Sequence, residues 1–243
     1  MGYWMHRGVA QQAWDWLDRV VAPDITLVQE AVPPAERRNR CCVWREIGGK
    51  RRWGSGVLTK GFPAKELHLE ENYYPGALVL AEENYYPGSL VLADVILPDN
   101  STLVVVSAYG KLDKYGYSST TLHRMLSDLT HLLDGELRAG GRPKVILGGD
   151  LNASPQFDDE YGTKTNRIFF QRLEAFYLVD CQGKFTKKRP RTLRHNKGDF
   201  PWVNDYIFAS ESLAKKVAAH QVIERPEMLN LSDHNPVVVT FDL

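Results

Sequence analysis

The stretch Val145-Ile-Leu-Gly-Gly-Asp-Leu-Asn-Ala-Ser-Pro155 constrains this chain most. Val145 to Leu147 is a short apolar run and reads as a buried strand. Gly148 and Gly149 then let the backbone turn, and Ser154-Pro155 stops any continuation. Asp150 and Asn152, two residues apart at the strand's C-terminal end, aim a carboxylate and a carboxamide into one crevice. Such crevices are where sheets flanked by helices bind ligands. The same residues also suit a turn in which both side chains cap local backbone groups, and this stretch alone does not choose.

The chain has 243 residues, enough for one large domain or two small ones, and 43% of them are hydrophobic, enough for a sizeable core. Thirty basic residues balance thirty acidic ones, so any attraction to nucleic acid has to be local. Cys41, Cys42 and Cys181 form neither a zinc pattern nor a disulfide framework, which suits reduced thiols in a cytoplasmic protein. No apolar run reaches membrane-spanning length, and Met1 to Arg7 has no secretory pattern behind it.

Residues 9–21 carry Val9, Ala13, Leu17 and Val20 at helical spacing, and Pro23 closes that helix. Ile25 to Val28 reads as a strand with Gln29-Glu30 at its tip, matching the arrangement at Asp150. Trp53 to Thr59 reads as a strand whose glycines admit another backbone. A tandem repeat follows: EENYYPGALVLA over 70–81 and EENYYPGSLVLA over 82–93. Two copies are too few for a solenoid. The second copy leads through a Pro98-Asp99-Asn100 turn into Leu103 to Val106, a hairpin, and the first copy looks surplus. The next strand ends at Tyr109. Leu122, Met125, Leu126, Leu129, Leu132 and Leu133 predict one long helix, capped by Ser119 or Thr120 and closed by Gly140-Gly141. His123 and His131 fall on its polar side. A helix over 168–176, a basic loop over 184–197, a strand over 202–208 carrying Asp205, a helix capped by Ser210 and a strand over 218–223 complete the series. Asp233 and His234 then sit in the turn into the final strand. The pattern is one domain of many strands with helices outside, in mixed sheets.

Four motifs now stand in one order: Leu27-Val-Gln-Glu30, Gly149-Asp-Leu-Asn152, Asn204-Asp-Tyr-Ile-Phe208 and Ser232-Asp-His234. Together they resemble the endonuclease/exonuclease/phosphatase superfamily, with its deoxyribonuclease I-like fold. The resemblance runs from about Ile25 to the end. It implies an α+β, four-layer sandwich of two packed mixed β-sheets flanked by helices, spanning residues 1–243 as a single domain. It also implies a magnesium-dependent phosphodiesterase, most simply an endonuclease hydrolysing DNA, with manganese able to replace magnesium. Phosphatases or phosphodiesterases acting on lipid, inositol phosphate or RNA belong to the same superfamily, and a catalytically silent binding module is the alternative from another class.

Under this resemblance Glu30 is the principal metal ligand, and Asp233 a further ligand or an acceptor behind it. Asp150 aligns and deprotonates the attacking water, and Asn152 holds that water or the phosphate. His234 stabilises the phosphate's developing charge, and Asp205 fixes its tautomer and favours the charged ring. Tyr109 stands where relatives contact phosphate. Magnesium suits the role because it takes oxygen ligands from one or two carboxylates plus substrate phosphate. The bland readings are a structural His234–Asp205 pair, a core Tyr109 and a packing Trp202, which could instead stack on a base. Lys184, Lys187, Lys188, Arg189, Arg191, Arg194 and Lys197 hold no acid between them. As they precede the Asp205 strand, they are expected to draw in phosphate backbone, with a solvated face as the alternative. Nucleic acid or another phosphodiester is thus the partner, and a monomer the expected state. Relatives begin with a central strand ending in a Trp-Asn-like pair. Met1 to Gly8 shows no such pattern, so that first strand is expected to be missing, with lower stability and activity as a result.

Overall fold

The computed structural model describes residues 9–38, 41–48, 50–68, 88–134, 143–186, 189–194 and 202–243. Its strands are β1 (Ile25–Ala31), β2 (Cys42–Glu46), β3 (Gly54–Thr59), β4 (Ala64–Glu66), β5 (Leu90–Ile96), β6 (Thr102–Ala108), β7 (Val145–Asp150), β8 (Leu178–Asp180), β9 (Asp205–Ser210), β10 (Val217–Val222) and β11 (Val237–Phe241). Six of them form a mixed sheet in the order β4-β5-β6-β7-β9-β8, parallel only between β6 and β7. Opposite it lie two antiparallel sheets, β1-β3-β2 and β10-β11.

The apolar run of β6 explains why this sheet lies in the middle. Leu103 and Val105 join one core with Val57 and Val91, while Val104 and Val106 join the other with Leu126 and Phe169. A strand buried on both faces must be apolar throughout, because successive side chains point to opposite faces. Each such side chain contributes about 1.5–3 kcal/mol on burial. A third core lies on the outer face of β1 and β3, roofed by α1 (Ala10–Trp16) and a wider-turned continuation, Leu17–Val21; Ala13, Trp14 and Leu17 pack on Val28, Ala31 and Leu58. Val20, expected on that face, is 40% exposed, because the wider turn rotates it outward. The core of Val104 and Val106 is roofed by α2 (Ser119–Asp128), α3 (Thr130–Leu133) and, beyond β7, α5 (Thr165–Ala175). Between β7 and α5 lies α4 (Pro155–Tyr161). The result is four layers, α+β, as expected.

Local departures from the sequence reading have identifiable causes. Ser154-Pro155 starts α4 rather than merely stopping a strand: Ser154 Oγ accepts the Gln156 N–H at 3.3 Å, and proline occupies the first helical turn. The predicted long helix breaks at Leu129 into α2 and α3. There Ser127 and Thr130 donate their hydroxyls back to the carbonyls of His123 and Leu126, a pattern that bends helices. His123 is not simply solvated: its Nδ1 meets Arg172 at 2.9 Å and its ring meets Phe169 edge-on. The helix after β9, α6 (Glu211–Ala214), has no side-chain cap from Ser210, whose Oγ instead accepts the Val145 N–H. Strands β2 and β4 were not anticipated.

The tail of the second repeat copy forms β5; the first copy and the head of the second lie outside the described residues. So do residues 1–8, on which the expected loss of a first strand turns. Among the described residues β1 and β11 are edge strands, and both line one cavity of about 400 Å³ beneath α1. No helix among the described residues is long and apolar enough to cross a membrane.

Candidate active site

Gly149 leaves no room for a side chain. Its φ is +141°, and a Cβ there would lie 2.1 Å from the Ala108 carbonyl oxygen and 2.7 Å from Gln29 Nε2. Both glycines therefore belong to β7 itself, and serve close approach rather than the expected turn. Gln29 fills the space Gly149 leaves. Its Nε2 donates to Ser107 Oγ at 2.9 Å and its Oε1 accepts the Asp150 N–H at 3.3 Å. One buried amide thus ties β1 to β6 and β7, and sets Glu30 beside Asp150.

Glu30 adopts φ +49° near the end of β1. Tyr109 Oη donates to its Oε1 at 2.6 Å, and the Tyr109 ring meets Trp53 edge-on. Tyr109 is accordingly both a core aromatic and a clamp on Glu30. Burial first, then the neighbouring carboxylates of Glu30 and Asp150, push its hydroxyl well above the ordinary value, so it stays a donor.

Asp150 ends β7. Its Oδ1 accepts the Asn152 N–H at 3.0 Å and its Oδ2 accepts Asn152 Nδ2 at 3.1 Å. The local turn and the functional crevice are therefore one structure. Asn152 sits at φ +47°, and its Oδ1 accepts Asn204 Nδ2 at 3.3 Å. Its amide thus orients Asp150 with one of its two Nδ2 protons.

His234 lies between two carboxylates: Nδ1 is 2.8 Å from Asp205 Oδ2 and Nε2 is 3.8 Å from Asp150 Oδ2. Burial works against its charge, but Asp205 and then Asp150 outweigh it and raise the ring to about 10. Burial likewise pushes Asp205 up, yet the His234 charge and hydrogen bonds from His234 and Thr192 hold it below the ordinary carboxylate value. Asp150 is raised, by burial above all and by Asp205 and Glu30, with His234 opposing. The arrangement is an imidazolium ion-paired with Asp205, facing a carboxyl of enhanced basicity. Thr192, fully buried, fixes the base of the pair: its Oγ1 accepts the N–H groups of Asn204 and Asp205 at 2.9 and 3.0 Å.

Gln29, Glu30, Tyr109, Asp150, Asn152, Asn204, Asp233 and His234 all line one cavity of about 560 Å³, with Trp202 and Phe157 in its wall at a ring separation of 4.5 Å. Asp205 backs His234. Asp150, Asp205 and His234 offer ligand atoms within 4.8 Å of one another. A charged ring whose Nδ1 proton points at Asp205 is nonetheless a poor metal ligand. The better cation site is the oxygen side of the cavity. There Glu30 has a second carboxylate oxygen, and Asp233 Oδ1 is buried with no hydrogen-bond partner among the described residues. Four carboxylates around one imidazolium leave an excess of negative charge, and hard oxygen donors fit magnesium or manganese.

The basic stretch divides: Arg194 lies beside the site, its N–H donating to the Asp233 carbonyl and its Nη2 to the Ser232 carbonyl, each at 2.7 Å, while others point away. Arg189 ion-pairs with Asp180 and stacks 5.4 Å over Tyr206, and with Arg191 and Lys184 it lines a separate cavity of about 1310 Å³ beyond the Ser154–Gln156 wall. Lys187, Lys188 and Lys197 lie outside the described residues. Gln29, Thr192 and Asn204 are supporting residues that the sequence reading did not assign. Gln29 and Asn204 stand inside the quoted motifs, while nothing local marks Thr192.

The family profile described as Endonuclease/Exonuclease/phosphatase family matches residues 7–234. Among curated proteins none matches significantly. Solved structures similar to this chain include an AP endonuclease from Archaeoglobus fulgidus, 19% identical with TM-score 0.68 over 97% of this chain and 96% of that one. A 3′ phosphatase from Neisseria, bound to a product DNA hairpin, is 20% identical with TM-score 0.66, covering 97% and 95%. An AP endonuclease from Leishmania major is 17% identical with TM-score 0.67, covering 96% and 82%.

Proposed function

The chain belongs to the Endonuclease/Exonuclease/phosphatase family, a family of phosphoester hydrolases, and from that premise we propose that it is a magnesium-dependent phosphodiesterase acting as an endonuclease on DNA. The observation that carries this reading is the line Asp150–His234–Asp205 across one cavity from Glu30. In it Asp150, held by both donors of Asn152, takes the proton of the attacking water. A raised carboxyl is the better base near neutrality. His234, kept protonated by Asp205, donates from Nε2 to a non-bridging phosphoryl oxygen as negative charge builds there. Tyr109 holds the Glu30 carboxylate in place. Glu30 and Asp233 would hold the cation, which would polarise the phosphoryl group and screen it from the surrounding carboxylates. The similarity to a fold solved with a DNA product supports nucleic acid as the substrate.

The test is hydrolysis of a labelled oligonucleotide, a generic phosphodiester and a generic phosphomonoester, each with magnesium, with manganese and with a chelator. Metal-dependent cleavage of the diesters supports the reading. Turnover of the monoester alone would replace it with a phosphatase.

A further inference from the structure

The rim of the catalytic cavity carries a feature that the hydrolytic chemistry does not use. Tyr115, Tyr117 and Tyr161 line the same 560 Å³ cavity as Asp150 and His234, yet they are 71%, 50% and 55% exposed. Leu112, 45% exposed, lies among them. The Phe157–Trp202 pair lines the same cavity and supplies two further aromatic rings. The backbone of the Tyr115–Tyr117 loop is not loosely placed: Asp113 Oδ1 accepts the N–H of Tyr115 at 2.8 Å and that of Tyr117 at 3.0 Å. Lys114 Nζ lies 4.9 Å from the Tyr115 ring centre.

Equally informative is what the wall omits. Among the described lining residues there is no lysine or arginine; the one cationic group is His234, at the floor, facing Glu30, Asp150 and Asp233. A polyphosphorylated inositol or an anionic lipid headgroup would need several cations around the cavity, and would be repelled by these carboxylates instead. A duplex offers phosphates and sugars at its surface and keeps its bases stacked inside, so it too would find little to hold at this rim. An unpaired base is different: each of its faces stacks on an aromatic ring whatever its identity.

We propose that Tyr115, Tyr117 and Tyr161 form a stacking rim for unpaired bases beside the scissile phosphate, so that the substrate class is single-stranded or locally unpaired nucleic acid. This rests on the phosphodiesterase reading of the same cavity. The rim selects the substrate by its exposed bases, while the floor acts on the single phosphodiester between them.

Fluorescence anisotropy of the full chain in the presence of a chelator tests this without turnover. The probes are fluorescein-labelled short single strands of thymidylate and of uridylate, a hairpin duplex of equal length, and inositol hexakisphosphate as competitor. Single strands should bind more tightly than the duplex, and the inositol should compete poorly. The deoxy and ribo arms tell DNA from RNA. Tyr115→Ala with Tyr117→Ala, and separately Tyr161→Ala, should each weaken single-strand binding by about fivefold or more, while the Tyr→Phe versions retain it. Equal affinity for single strand and duplex, or alanine variants that bind like the parent, would overturn the proposal. Ring-dependent binding by a chain that hydrolyses no phosphodiester would support the rim and sink the hydrolase reading. Hydrolysis with ring-independent binding would do the reverse.

Discussion

Replacing Asp205 by Asn isolates what keeps His234 charged. The asparagine oxygen can still accept from Nδ1, so the 2.8 Å contact and the tautomer survive while the charge goes. Burial depresses the His234 ring, and Asp205 is the largest of the causes that lift it to about 10. With that charge removed, Asp150, 3.8 Å from Nε2, and Asp233 remain to oppose burial. If burial and the remaining carboxylates offset one another, the ring returns to its ordinary value of 6.5, and about three quarters of the rings are protonated at pH 6 but only about one in thirty at pH 8. The parent ring is charged at both. The ratio of variant to parent rate should therefore fall roughly twentyfold between pH 6 and pH 8, beyond any constant loss from altered orientation. Initial rates of labelled-oligonucleotide cleavage with magnesium across that range measure it, with circular dichroism confirming the fold. A ratio that stays constant across pH would refute the reasoning. The pair also links stability to pH. The raised His234 value stabilises fully below 6.5 and fades as pH rises through about 10. The lowered Asp205 value stabilises above 3.8 and fades as pH falls below it. Thermal unfolding of parent and variant should thus differ most near pH 5–6 and converge at both extremes.

Gly149→Ala should cost about 3 kcal/mol or more, because its Cβ would collide with the Ala108 carbonyl and with Gln29. Gly162→Ala, at φ +65° in open space, should cost only about 1–2 kcal/mol. The difference in Tm between the two variants checks this, and equal values would show that the space at Gly149 is not closed. Neutralising Lys187, Lys188 and Arg189 should weaken DNA binding and flatten its salt dependence, by about one unit of slope for each phosphate left without a cation. An unchanged slope would leave these residues as a solvated face. Deleting Glu70 to Ala81 should leave Tm unchanged or higher, since β5 is built from the second copy; a large drop would make both copies structural.

Much of the site is legible in the sequence because its chemistry stands at strand ends. Glu30, Asp150, Asp205 and His234 each follow or open an apolar run, and local periodicity finds such places. What periodicity misses is contact between distant segments. Gln29 is held by Ser107, 78 residues away, and this contact, not the turn, explains Gly149. Thr192 reaches Asp205 only because the chain after β8 folds back over β9. Arg189 shows the same limit. Nearness to Asp205 along the chain suggests nearness to the crevice, and Arg194 does reach Asp233, but Arg189 pairs with the Asp180 carboxylate on β8 and lines a separate cavity. Strands β2 and β4 are hidden for a related reason. They are short and half-exposed, and they exist because the edges of β3 and β5 accept them.

Plasmid nicking tests the central claim most directly. The intact chain with magnesium should convert supercoiled DNA, whose torsion opens locally unpaired stretches, to open circles, chelation should abolish this, and Asp150→Asn and His234→Ala, both folded, should each retain about one hundredth of the rate or less. Nicking that persists at near-parent rates in both variants would contradict the assignment of this cavity as the catalytic site.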